Sequence, residues 1–195
     1  MVRLLLVRHA QSEWNALGKW QGQADPPLSE LGRRQSEVAA AGVDDLSVVV
    51  SSPLIRARET ADIMRRGVEA EVVDGWKERD AGEWSGLTKE QIEEEWPGYL
   101  GARRRPPRFE AEESFRERVL TAVQRTAELV GEGPALVVTH GGCVYTLERH
   151  LGVRFEHLAN VAGRWLEVDG GRLELGERVL LVDPHEVAVT QPGQL

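Results

Sequence analysis

Three short runs of consecutive apolar, β-prone residues constrain this chain most. They are Val2 to Val7, the valines of 47–51, and Ala135-Leu136-Val137-Val138-Thr139. An uninterrupted apolar run of this length suits a strand buried on both faces rather than one half exposed to water. Helix signals lie between the runs. Ser29 reads as an N-cap for a helix over Glu30 to Ala41, closed by Gly42. Ser52-Pro53 opens a second helix, Leu54 to Arg66, ended by Gly67. Glu112 to Val130 is the longest helical pattern, with Phe115, Val119, Ala122, Val123, Thr126 and Val130 on one face. Strands that alternate with helices predict a three-layer α/β/α sandwich around a mostly parallel sheet.

Shorter elements complete the reading. Ser12 to Gly18 is a short helix or loop, and Asp25-Pro26-Pro27 excludes helix at its end. Glu69 to Val73 is a third strand, Thr88 to Glu95 a helix, and Cys143 to Leu151 another. Trp76 to Leu87 and Pro97 to Pro107 are irregular, the latter rich in proline and arginine. Trp165 to Leu175 reads as a hairpin turning at Gly170-Gly171, and Arg178 to Val182 as a final strand. The tail from Pro184 to Leu195 has little apolar content and is expected to be loose. With no repeat and no dividing linker, residues 1–195 are expected to form one domain.

Bulk properties narrow the function. The net charge is −8, which argues against a nucleic-acid partner, since that needs a basic surface. Any anionic ligand must then be held by local arginines against the global field. The single cysteine, Cys143, cannot form an intramolecular disulfide and suits a reducing compartment. The N-terminal apolar run is too short for a signal peptide, and no stretch approaches a membrane span. A cytoplasmic location without a membrane partner is the expectation.

Three groups fall at strand ends, where open α/β sheets bind ligands. Arg8-His9 follows the first run. Ser51-Ser52-Pro53 follows the second and leads into a helix carrying Arg56 and Arg58. His140-Gly141-Gly142 follows the third. Arginines bind phosphate oxygens bidentately and stay charged, while helix N-termini and glycine turns add backbone N–H groups. A neutral histidine attacks phosphorus when its other ring nitrogen is held by a hydrogen bond. The reaction also needs an acid for the leaving oxygen, and Glu78, Asp80 and Glu83 all lie in one loop, among which composition does not choose.

The chain resembles the histidine phosphatase superfamily, in its phosphoglycerate mutase-like branch. The motifs are Leu6-Val7-Arg8-His9-Ala10-Gln11-Ser12-Glu13-Trp14-Asn15, Gln21-Gly22 with Asp25-Pro26-Pro27-Leu28-Ser29-Glu30-Leu31-Gly32, and Ser51-Ser52-Pro53-Leu54 with Arg56-Ala57 and Thr60-Ala61. Trp76-Lys77-Glu78 with Gly82-Glu83-Trp84 and Gly86, Glu113-Ser114, and Val138-Thr139-His140-Gly141-Gly142 follow in order. The resemblance implies a phosphoglycerate mutase-like fold and hydrolysis of a phosphate monoester. It makes His9 the nucleophile and places Arg8, Arg56 and His140 on the phosphoryl group, with Asn15 assisting. It selects Glu78 as acid and then base, and puts Gln21, Gly22 and the Gly141 amide at the pocket. It implies no cofactor and no metal, a small phosphorylated metabolite as partner, and a homodimer. Phosphatase is favoured over mutase because only a short helix and a loop follow the acid motif, where mutases carry a longer segment. A phosphoglycerate mutase and a non-catalytic phospho-ligand module are the alternatives.

The chain departs from the family pattern at Ala10, where glycine is usual, at Trp76, and at Glu110-Ala111-Glu112-Glu113 in place of Pro-Gly-Gly-Glu. Arg58, Arg65, Arg66 and Arg103-Arg104-Arg105 read as solvated charges, although the last run is also placed to fold over the site. His150, His157 and His185 match no metal spacing. Cys143 and Arg149 have the spacing of a cysteine-dependent phosphatase loop. The bulky Val144-Tyr145-Thr146-Leu147-Glu148 between them lacks the glycine such a loop needs, so the segment reads as helix around a buried thiol.

Overall fold

The computed structural model describes residues 1–46 and 48–190. In chain order it contains β1 (Val2–Arg8), α1 (Glu13–Ala16), α2 (Glu30–Ala39), β2 (Val48–Ser51), α3 (Ile55–Met64) and β3 (Glu71–Val72). There follow α4 (Lys89–Glu95), α5 (Glu112–Val130), β4 (Gly133–Thr139), α6 (Gly141–His150), β5 (Ala162–Asp169) and β6 (Arg172–Leu180). The sheet runs in the order β3-β2-β4-β1-β5-β6. Its first four strands are mutually parallel, while β5 and β6 add an antiparallel edge.

The alternation of side chains along β1 divides the core. Leu4 and Leu6 face Phe115, Val119 and Val123 of α5 and Leu147 of α6. Leu5 and Val7 face Ala57, Ala61 and Met64 of α3 and Ala39 of α2. Both faces are covered, which is why β1 reads as continuous apolar sequence. Each fully buried leucine contributes roughly 1.5–3 kcal/mol by removal from water. A third cluster lies apart from the sheet and gathers Trp20, Ala81, Trp84 and Ile92, with Phe109 against it.

The helices start where their caps are. Ser29 accepts a hydrogen bond from Gly32 N–H at 3.0 Å, and Gly32 is small because a β-carbon there would strike the Gln11 carbonyl. The α2 helix ends sooner than expected. It tightens into a 3₁₀ turn over Ala40–Val43, and Gly42 packs on Leu181 instead of supplying a left-handed cap.

Two expectations are corrected. Arg178 to Val182 is not a separate strand, because β6 runs through Gly176 to Leu180. Gly176 permits this, since a β-carbon there would lie 2.9 Å from Trp165 Cβ, and the register shifts between Arg164 and Leu166. The tail is not loose where it is described. Gln35 Nε2 donates to the Ala188 carbonyl at 2.8 Å, and Thr190 Oγ1 donates to Asn160 Oδ1 at 2.6 Å. Buried amides of the core need those partners, which the tail's low apolar content does not reveal. Residues 191–195, and Ser47 at the start of the second expected strand, lie outside the described residues.

Candidate active site

Sheet register brings the strand-end groups together. Arg8 pairs with Thr139 and Ser51 with Val138, so β1, β4 and β2 end side by side. The ladder continues one step, with His9 N–H donating to the Thr139 carbonyl and Ser52 N–H to the Val138 carbonyl, each at 2.9 Å. His9 and His140 therefore meet, their rings 5.1 Å apart between centroids and nearly edge to face.

The His9 ring has a defined tautomer. Nδ1 lies 2.7 Å from the Ala10 carbonyl, which only accepts, so Nδ1 holds the proton. The lone pair is left on Nε2, where it accepts from Arg56 Nε at 3.2 Å. Burial, then the charges of Arg56 and Arg8, hold the His9 pKa well below its ordinary value of 6.5, so the ring is neutral at pH 7. His140 is held down for the same reason, burial first and then Arg56 and His9. Its Nε2 is 2.8 Å from Ser52 Oγ, and its buried Nδ1 has no hydrogen-bond partner among the described residues.

Arg56 is fully buried at the start of α3. Besides His9 it donates to the Ala24 carbonyl at 2.7 Å and the Gly22 carbonyl at 2.8 Å. Burial lowers its pKa to about 10, which leaves it cationic. Arg8 Nη1 donates to the Leu158 carbonyl at 2.7 Å, and its buried Nε has no partner among the described residues. Two guanidiniums and two neutral imidazoles thus converge in one buried cradle, a concentrated positive site inside an acidic protein.

Glu78 stands at the cradle's edge. Its Oε2 accepts from Gly142 N–H at 3.0 Å and its Oε1 from Arg79 N–H at 2.7 Å. Glycine at 142 leaves room for this contact, because a β-carbon there would displace the Glu78 carboxylate. Asp80 caps the turn at Gly82, and Glu83 pairs with Arg108 on the surface. Asn15 closes the cradle from another side. Its Oδ1 accepts from Ser12 N–H at 3.2 Å, and its buried Nδ2 has no partner among the described residues.

Two of the expected pocket residues also have partners inside the protein. Gln21 Oε1 accepts from Ser12 Oγ, the capping group of α1, at 2.7 Å. Gly22 contributes its carbonyl to Arg56 rather than an open surface. Its φ of +53° and the approach of Ala81 N, 2.5 Å from where a β-carbon would sit, both demand glycine. Gly141 begins α6, where helix geometry leaves N–H groups without intrahelical acceptors.

Sequence reasoning missed Ser52 as a partner of His140, Gly142 as the amide on Glu78, and Asn160. Asn160 Nδ2 donates to the His9 carbonyl at 2.8 Å, beneath the backbone that carries the imidazole. The next residue, Val161, has a φ of +51°, a strained conformation for a β-branched side chain. No local pattern marks Asn160, which approaches from a loop far along the chain. Cys143 lies buried on α6, its Sγ 3.3 Å from the Lys77 carbonyl, and burial raises its pKa to about 12. Arg149 points outward to Glu112. Among the described residues no three His, Cys, Asp or Glu side chains gather as a metal site, and no helix is long and apolar enough to cross a membrane.

The family model of the histidine phosphatase superfamily, branch 1, matches residues 4–177. The chain belongs to that superfamily. It is 31% identical over 151 residues to the uncharacterized phosphatase PhoE of Bacillus subtilis, covering 75% of this chain and 76% of the relative. It is 35% identical over 167 residues to glucosyl-3-phosphoglycerate phosphatase of Mycobacterium tuberculosis, covering 76% and 74%. A probable phosphoglycerate mutase GpmB, of Photorhabdus laumondii, is 34% identical over 162 residues, covering 74% and 73%. Bacillus stearothermophilus YhfR superposes with a TM-score of 0.83 at 26% identity, over 95% of this chain and all of the other. The phosphoglycerate mutase-like fold expected from the motifs is therefore the fold observed.

Proposed function

We propose that this superfamily member is a phosphatase that hydrolyses small phosphate monoesters through a phosphohistidine on His9. One observation carries the reading: a neutral imidazole with its proton fixed on Nδ1 directs its Nε2 lone pair into a cradle of two buried guanidiniums. Mere binding of phosphate has no use for a lone pair so directed, nor for a carboxyl beside it.

In the first step the phosphoryl oxygens draw the hydrogen bonds of Arg56, Arg8, His140 and Asn15, and Arg56 Nε releases His9. Nε2 attacks phosphorus in line. The Nε2–P bond forms, the P–O bond to the leaving group breaks, and Glu78 transfers its proton to the departing oxygen. In the second step Glu78 takes a proton from water, whose oxygen bonds to phosphorus as the P–Nε2 bond breaks. Phosphate leaves, with His9 neutral and Glu78 protonated again. The arginines and His140 supply the charge stabilisation that a metal ion brings to other phosphatases.

One feature supports hydrolysis over mutase chemistry. Between the acid loop and α5 there is only α4 and a strap over residues 97–110, a small cover for shielding a phosphohistidine from water. The rim also suits a substrate with a second anion. Arg79 and Arg105 both stack on Phe109, at 4.9 and 5.0 Å, and neither pairs with a carboxylate among the described residues. Relatives named for glucosyl-3-phosphoglycerate fit that picture, since such esters carry a carboxylate near the phosphate.

The test is a rapid, acid-free quench with an aryl phosphate and excess chelator, followed by peptide mapping. Phosphate on His9 is the expected result, with turnover undiminished by chelator. Phosphate on Cys143, or loss of turnover with the chelator, overturns the mechanism. A coupled assay with 3-phosphoglycerate that showed isomerisation faster than phosphate release would replace phosphatase by mutase.

A further inference from the structure

Glu78 sits in a stretch with neither strand nor α-helix to fix it, so its position must come from side chains. Arg118, on α5, supplies most of it. Its Nη1 donates to the carbonyls of Gly75 at 2.9 Å and Lys77 at 2.8 Å, and its Nη2 to the carbonyl of Glu78 itself at 3.2 Å. Those carbonyls belong to no sheet ladder, so side chains must meet them. Gln23 Nε2 reaches the Glu78 carbonyl as well, at 3.2 Å.

The guanidinium is itself clamped. Arg118 Nε and Nη2 donate to Glu110 Oε1 and Oε2 at 3.0 and 2.7 Å, a bidentate pair largely sheltered from water. Glu110 Oε2 also accepts from Asp80 N–H at 3.1 Å, and the Glu110 carbonyl accepts from Arg79 Nε at 2.8 Å. Both ends of the acid loop are thereby tied to one carboxylate. Glu110 stands where the family pattern has proline, so the clamp is a feature of this chain's own sequence.

We propose that Arg118, locked by Glu110, is a positioning residue that aims the Glu78 carboxyl at the leaving-group oxygen. This rests on Glu78 being the acid, as argued above. Arg118 touches neither phosphate nor His9. Its effect falls on proton delivery and spares phosphate binding. Proton delivery matters most when the leaving group is a poor one, because an activated aryl oxide departs without help.

The experiment measures kcat/KM, which reports the first irreversible step, across aryl and alkyl phosphates of rising leaving-group pKa. Glu78→Gln sets the benchmark, and thermal melts check each variant's fold. Arg118→Ala is expected to lose about 30-fold with an alkyl phosphate and under about 3-fold with dinitrophenyl phosphate, steepening the dependence as Glu78→Gln does. Glu110→Ala keeps the arginine but frees it, and is expected to steepen the dependence less, by about 5-fold at the alkyl end. This second variant decides the matter if Arg118→Ala fails to fold. A uniform loss across all leaving groups in the folded variants, with Glu78→Gln still steep, overturns the positioning role alone. A benchmark Glu78→Gln that is not steep overturns the acid assignment and the inference with it.

Discussion

The histidine–arginine cradle and the Glu78 loop are built in opposite ways. His9, Ser52 and His140 each stand one residue beyond a strand of the same parallel sheet, so the main-chain ladder that holds the sheet also holds the cradle. Glu78 has no such ladder, and its loop is held by Arg118, Glu110 and the Gly142 amide. Backbone register tolerates side-chain change, whereas a loop fixed by side chains inherits every weakness of those side chains. The catalytic step that needs the cradle should therefore fail all at once, and the step that needs the loop by degrees.

Substitutions sharpen this contrast in descending order. His9→Ala removes the imidazole proposed to attack phosphorus and is expected to lower kcat/KM by about 10⁴-fold or more while the chain still folds, as circular dichroism would show. Near-normal turnover would end the covalent mechanism. Arg56→Lys keeps the charge but cannot reproduce the guanidinium's contacts with His9, Ala24 and Gly22. Steady-state kinetics should show about a 10²- to 10³-fold loss. Gly142→Ala pushes a methyl group into the Glu78 carboxylate, and about a 10- to 100-fold loss is expected, largest for poor leaving groups. If Gly142→Ala instead hurt all substrates equally, the glycine would be serving the cradle and the contrast would fail.

The buried histidines give the contrast a pH signature. Both have folded pKa values well below 6.5, so in the folded chain they stay neutral where the unfolded chain already binds protons. Stability is thus full above about pH 6.5 and falls as pH drops below it, by about 1.4 kcal/mol per pH unit for each histidine. Urea melts between pH 7 and 5 should show a shallower slope in His9→Ala by about one proton. An unchanged slope would mean that His9 is charged in the fold. The smallest effect is expected at Cys143→Ala, because a thiol with a pKa of about 12 does not act as a nucleophile at neutral pH. Turnover within about 2-fold of the parent is the expected result.

The cradle was legible in the sequence for a local reason. An apolar run ends, and the polar residue that follows must stand at the strand's carboxyl edge. Arg8-His9, Ser52-Pro53-Leu54-Ile55-Arg56 and His140 could each be placed from their own neighbours. The glycine pair after His140 was legible as a turn, but not which of its amides Glu78 would take. Gln21 and Gly22 were legible as pocket residues, whereas their contacts with the α1 cap and with Arg56 were not. The hairpin was legible at its Gly170-Gly171 turn, whereas its length depended on Gly176 passing Trp165.

Sequence by itself determined the alternating strands and helices, the two-sided core, the residues at three strand ends and the family to which they belong. Periodicity and strand-end position are properties of neighbouring residues, and neighbours are what a sequence records. Tertiary structure alone decided that Arg118 holds the acid loop from 40 residues away, that Asn160 supports His9 from 151 residues away, and that the tail through Thr190 satisfies buried amides. A buried polar group takes whichever partner the finished fold brings within about 3 Å, and that distance is set only when the layers have packed.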